Sequence, residues 1–138
     1  MFIDASVIVA ILASEPGSQE LEKQMGGTGG PFFVSPLVRF EATVALARQK
    51  SLPRKSSSTL LRQTARAVDA FIQDIGAEEI AISSEIGHLA LEVSATYGKS
   101  VGHAAQLNFG DCFAYACAKT LGTSLIYKGD DFARTDLA

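Results

Sequence analysis

The sequence predicts an α/β fold, a three-layer α/β/α arrangement built on a short parallel sheet. Three observations carry this. Brief apolar runs ("FI", "FFV", "SLIY") alternate with longer stretches whose apolar residues recur at helical spacing. The runs lack the alternation of a half-solvated strand, so they read as strands covered on both faces. At 138 residues, 47% of them hydrophobic and 20% charged, the chain is sized for one sizeable core, and residues 1–138 are expected to form a single domain.

Taken in order, residues 2–4 make a first strand ending in Asp-Ala-Ser. A helix carrying Val7, Ile8, Ile11 and Leu12 follows, with Ser6 as the expected N-cap. "EPGSQELEKQM" starts a more polar helix closed by "GGTGG", and "PFFVS" is a buried strand. "SPLVRFEATVALARQK" is a helix with Ser35 as N-cap and Pro36 at its first position. After "LPRKSSS", an amphipathic helix spans about 57–75, and "EEIAIS" is a third strand. "SSEIGHLALEVSATYG" is a helix stopped by Gly98, "KSVGHAAQLNFG" a loop, and an apolar helix opens at Asp111. "TSLIYKG" is the last strand, and "DDFARTDLA" a turn or short helix.

Composition narrows the class. No run approaches the roughly 20 apolar residues that span a bilayer, and "MFIDASVIVAILASEP" has no basic segment of a signal peptide. A cytoplasmic protein without a membrane partner is therefore expected. Cys112 and Cys117 lie on one helix and read as small near-core residues, not a disulfide framework. The net charge of −3 discourages nucleic-acid binding, but its distribution does not. Residues 39–66 hold seven bases and one acid, whereas the rest of the chain holds five bases and fourteen acids. Arg39, Arg48, Arg54 and Lys55 in this segment are candidate contacts to an RNA backbone; a solvated helix face is the alternative.

The acids are more informative. Asp4 ends the first strand, and Asp130 and Asp131 follow the last one, so they share the carboxyl edge where open parallel sheets place ligands. Glu41, two turns into its helix, has Leu37, Val44 and Ala45 as helical neighbours, a costly setting for an uncompensated charge. Each acid has an ordinary explanation: Asp4 as a cap, Asp111 as a helix N-terminal acid, Asp130 and Asp131 as turn residues, Glu41 as a snorkelling side chain. Convergence of all of them would require a cation, and an oxygen-only set suits Mg²⁺ or Mn²⁺.

"MFIDASVIVAIL", "SPLVRFEATVAL" and "LNFGDCFAYACAKTLGTSLIYKGDDFARTDL" together resemble the PIN domain, in particular the VapC toxins of prokaryotic type II toxin–antitoxin modules. The resemblance covers essentially the whole chain and is most specific in its C-terminal block. It implies a PIN-like fold that gathers acids into a metal site hydrolysing RNA. Asp4, Glu41 and Asp111 match the family's recurrent acids, and Ser6 a small polar residue that often accompanies the first. The acid many PIN domains carry two residues before an Asp-Phe pair is Gly129 here, so Asp130 or Asp131 must supply any fourth carboxylate. The resemblance also implies a VapB-like antitoxin partner whose C-terminal segment occupies the acidic groove, and a homodimer. Apolar positions in the 37–46 and 60–72 helices could spare a face for a partner helix.

On this reading, Asp4 and Asp111 hold the principal metal, Glu41 holds it or orients a water, and Asp130 or Asp131 completes the site. Attack by such a water leaves 5′-phosphate and 3′-hydroxyl ends. Two rivals stand beside it. A catalytically silent PIN-like binding module would have no reason to keep mutually repelling acids. An aspartyl-phosphate phosphatase using Asp4 would want an acid two residues on, where Ser6 stands. "YGKSVG" is not a phosphate loop, because Val93 stands where the first glycine is required. His88 and His103 lack the spacing of a zinc site.

Overall fold

Four very short strands form a parallel sheet in the order β3-β2-β1-β4: β1 (Phe2–Ile3), β2 (Phe33–Val34), β3 (Glu78–Glu79) and β4 (Leu125–Ile126). The structure is a computed structural model and describes residues 1–137; Ala138, the end of the expected tail and domain, lies outside the described residues. Six helices surround the sheet: α1 (Ala5–Leu12), α2 (Ser18–Thr28), α3 (Pro36–Ser51), α4 (Ser58–Asp74), α5 (Ser84–Tyr97) and α6 (Phe109–Leu121). The expected third strand shortens to an exposed two-residue edge, and the loop after α5 contains one 3₁₀ turn, Lys99–Val101.

Successive strand residues point to opposite faces. Phe2 and Ile3 are both fully buried, and Leu125 and Ile126 nearly so, so the sheet is covered above and below as the three-layer expectation requires. The chain runs from β1 outward through β2 to β3, then returns to place β4 on the other side of β1. The reversal at β1 makes its carboxyl end the topological switch point, where a crevice opens between diverging loops.

Local chemistry sets the helix boundaries. Ser35, Ser57 and Ser83 cap α3, α4 and α5, each accepting a hydrogen bond from the amide three residues on, at 3.1–3.2 Å. Ser6 does not cap α1: the cap is Asp4, and Ser6 lies in the first turn. The carboxylate accepts better than the hydroxyl and sits at the residue where the strand's extended backbone ends. Gly98 ends α5 in extended, not left-handed, backbone. It is glycine because a Cβ there would fall 2.8 Å from Ser94 Oγ and closer still to the Ser94 carbonyl.

Past β4 the chain turns back under Phe132, which is 1% exposed and stacks on Tyr127 with ring centroids 4.9 Å apart. Asp136 ties the tail to α6, accepting from the Tyr115 hydroxyl and, at 2.7 Å, from Lys119 Nζ. Phe132 therefore anchors the loop that carries Asp130 and Asp131. Phe132→Ala should cost about 3–5 kcal/mol in urea-unfolding equilibria, the range for deleting a buried aromatic ring; a loss below 1 kcal/mol would mean the ring is not packed as described.

Candidate active site

Asp4 is the first residue after the central strand and is 7% exposed. Its Oδ2 accepts both the Ser6 amide, at 3.0 Å, and the Ser6 hydroxyl, at 2.5 Å. Ser6 Oγ in turn accepts the Lys128 amide at 3.0 Å. One hydroxyl thus joins the end of β1 to the loop after β4, across the switch point. Burial raises the Asp4 pKa above the ordinary carboxylate value; the Ser6 hydroxyl, the Ser6 amide and the Ala5 amide pull it down, and the Asp131 charge raises it further.

Asp111 is not the first residue of α6, as its sequence position suggested, but the third. The helix starts at Phe109 with Asn108 as its cap. Asn108 Oδ1 accepts the Asp111 amide and Asp111 Oδ2 accepts the Asn108 amide, both at 2.9 Å. This capping box fixes the Asp111 side chain at the helix mouth. Asp111 is 7% exposed, and its pKa is raised to about 6 by burial, eased by the Asn108 amide, with Asp4 and Asp131 raising it further. Asn108 is the supporting residue that sequence reading missed; the Asn-x-x-Asp spacing ahead of an apolar run was its available signal.

Glu41 comes from α3 and is half-buried. Val44, one turn further along α3, is exposed, so Glu41 stands at a rim and is not sunk in the core. It makes no hydrogen bond, and no fully buried side-chain nitrogen or oxygen among the described residues lacks a partner, so its oxygens reach solvent. Burial raises its pKa to about 7, and the charges of Asp4 and Asp111 add to the rise. The three acids, from three separate segments, therefore lie within each other's fields. Asp130 and Asp131 are both exposed, and Asp131 is the one whose charge acts on Asp4 and Asp111.

Among the described residues no basic side chain forms an ion pair with Asp4, Glu41 or Asp111; the four ion pairs lie elsewhere. The donors are all oxygens, which suits a hard divalent cation. No three acidic, His or Cys side chains among the described residues are close enough to enclose an ion by themselves. An ion held there would need water to complete its coordination.

The basic segment divides. Arg39 is a brace, its guanidinium held by Asp69 of α4 and by Glu79 of β3, with Nε at 2.7 Å from Glu79. Arg48, Arg54 and Lys55 are exposed and have no ion-pair partner among the described residues. His103 belongs to its own loop, accepting the Ala105 amide at 3.0 Å and packing edge-on to Tyr97; His88 is exposed.

This sequence and fold have known counterparts. The PIN-domain family model matches residues 1–137. The chain belongs to the PIN-domain family. A VapC ribonuclease of Rhizobium meliloti (strain 1021) is 52% identical over 139 residues, covering 99% of this chain and 98% of that protein. Ribonuclease VapC42 of Mycobacterium tuberculosis is 31% identical over 137 residues, covering 99% and 96%. Among solved structures, VapC20 of Mycobacterium tuberculosis, described as a toxin cleaving the sarcin-ricin loop, superposes with a TM-score of 0.71. It is 17% identical, with 99% of this chain and 95% of that one covered, a likeness of fold.

The raised acid pKa values have a consequence for stability. Between the ordinary 4.5 and about 7, folded Glu41 holds a proton that the unfolded chain has released. Its contribution is fully present below the lower value and is lost as pH rises through the upper one; Asp111 acts alike between 3.8 and about 6. Metal-free protein should therefore melt a few degrees higher at about pH 5 than at about pH 8, and Glu41→Gln should flatten that dependence. A melting temperature that instead rises across this range in the wild type would contradict the assigned environment.

Proposed function

We propose that the protein is a metal-dependent endoribonuclease toxin of a type II toxin–antitoxin system, cutting RNA at the crevice bounded by Asp4, Glu41, Asp111 and Asp131. The observation that carries this is the meeting of three buried or half-buried acids, without a basic partner, at the switch point of the sheet. A silent binding module would gain nothing from such mutual repulsion. The ribonuclease names of relatives covering nearly the whole chain favour nuclease over phosphatase chemistry. Residues 1–138 act as one domain on this reading.

Asp4, Asp111 and Glu41 would hold Mg²⁺ or Mn²⁺. When bound, such an ion lowers the pKa of a water and offsets charge on the phosphoryl and leaving oxygens. The chain's own part is positional. Asp4 and Asp111 each commit Oδ2 to hydrogen bonds that fix the carboxylate, and the other oxygen would be the one offered to the ion. Glu41, which makes no hydrogen bond among the described residues and whose oxygens reach solvent, is the acid free to bind the ion or to orient a water. Of the two acids after β4, Asp131 is the better fourth carboxylate, since its charge already acts on Asp4 and Asp111.

Arg48, Arg54 and Lys55 would steer the RNA backbone, and loops at the rim would select the sequence. An antitoxin of the VapB kind fits the surface beside the site. Phe40 and Val44, which flank Glu41 on α3, are 66% and 39% exposed, and Leu61 on α4 is 38% exposed. Such apolar residues next to an acidic crevice suit a segment carrying both apolar and basic side chains. Homodimerisation and a cytoplasmic location complete the proposal; two buried free thiols accord with a reducing compartment.

Asp4→Asn should fold and lose RNA cleavage in Mg²⁺ by more than about a hundredfold, beyond the loss typical of changes outside the ligand set. Undiminished cleavage by folded Asp4→Asn would end the proposal. End sequencing of the fragments should find 5′-phosphates, and Asp131→Asn should cost more than Asp130→Asn. In RNA-binding titrations with inactive protein, each of Arg48→Ala, Arg54→Ala and Lys55→Ala should reduce the slope of log affinity against log salt by about 0.7 where a phosphate contact is lost. Arg39→Ala should leave that slope unchanged while lowering the melting temperature.

A further inference from the structure

Gly110 occupies the second position of α6, where glycine is a poor choice by every local criterion. Its backbone is not left-handed, so no turn requires it. Glycine in a helix is the least favourable ordinary residue after proline, and alanine would do better. Close approach is the remaining reason for a glycine. A Cβ at residue 110 would stand 2.5 Å from Glu41 Cδ, 2.6 Å from its Oε1 and nearer still to Oε2. The obstacle is therefore the carboxylate itself, which comes from α3, and not the backbone of a neighbouring turn.

We infer that Gly110 is a positioning residue for Glu41: the missing side chain on α6 is the space that the Glu41 carboxylate fills beside Asp111. This rests on the proposed metal site and adds to it the reason that Glu41 can stand among the other acids. Among the described residues Glu41 has no hydrogen bond to hold it, so shape takes the place of polar contacts. Asp4 is fixed by Ser6 and Asp111 by Asn108, and neither depends on residue 110 for a hydrogen bond. The carboxylate lies against the first turn of α6.

The consequence is a size-matched pair across two helices. A methyl group at 110 must push the glutamate carboxylate away from Asp111, whereas an aspartate at 41 reaches less far and leaves room for that methyl. The test is a double-mutant cycle read by Mn²⁺ calorimetry and by thermal melting of the metal-free protein. Wild-type protein that binds no Mn²⁺ would overturn the underlying site rather than the pairing. Given wild-type binding, Gly110→Ala should weaken Mn²⁺ affinity about ten- to a hundredfold, and Glu41→Asp should weaken it comparably. Gly110→Ala/Glu41→Asp should bind no worse than either single variant. In a Glu41→Ala background, where the carboxylate is gone, Gly110→Ala should raise the melting temperature, because only the helix preference remains. Losses that multiply in the double variant, or wild-type affinity in Gly110→Ala, would overturn the inference. So would a melting temperature that falls on adding Gly110→Ala to Glu41→Ala, since the methyl would then clash with something else.

Discussion

The repulsion among Asp4, Glu41 and Asp111 is the constraint around which the rest of the molecule is arranged. Carboxylates in one another's fields, partly removed from water, oppose the fold that gathers them. Other contacts must hold them there. For Asp4 and Asp111 these are the hydrogen bonds at the helix starts: Asp4 caps α1 by accepting the Ser6 amide, and Asp111 accepts the amide of Asn108, the residue that caps α6. The ordinary roles of these two acids and their proposed chemical roles are therefore compatible, because a carboxylate has two oxygens and the cap uses one.

Packing does the remaining work. Leu46, Ala42 and Val38, all buried, hold the inner face of α3 against the core and bring Glu41 to the rim. The apolar face of α6, from Cys112 to Ala118, is buried almost without interruption. Burial of that face determines where the helix goes, and its first turn is carried to the switch point with Asp111 attached. Arg39, joined to Asp69 and Glu79, ties α3 to α4 and to the outer strand. A cation that the sequence offered to RNA is used to hold the scaffold.

Much of this organisation was legible before any coordinates. Ser35, Ser57 and Ser83 cap the helices the periodicity indicated, and the alternation of brief apolar runs with long helices is the observed order. Ser6 and Asp111 were each displaced by a residue or two, because Asp4 and Asn108 are the stronger caps and stand just before them. The third strand is shorter than the apolar run suggests: Glu78 and Glu79 form the edge, the Ile80 amide still donates to the Val34 carbonyl at 2.9 Å, and Ile80 and Ile82 pack against the core.

The sequence by itself determined the element order, the starts of α3, α4 and α5 and the identity of the acids near strand ends and helix openings. Those properties depend on spacing and on local hydrogen bonding within a few residues. The tertiary structure alone decided which charges meet, which base is consumed by a brace, and why residue 110 has no side chain. Each of these depends on atoms from segments tens of residues apart being pressed together, and neither periodicity nor capping preference specifies how two packed helices place the ends of their side chains.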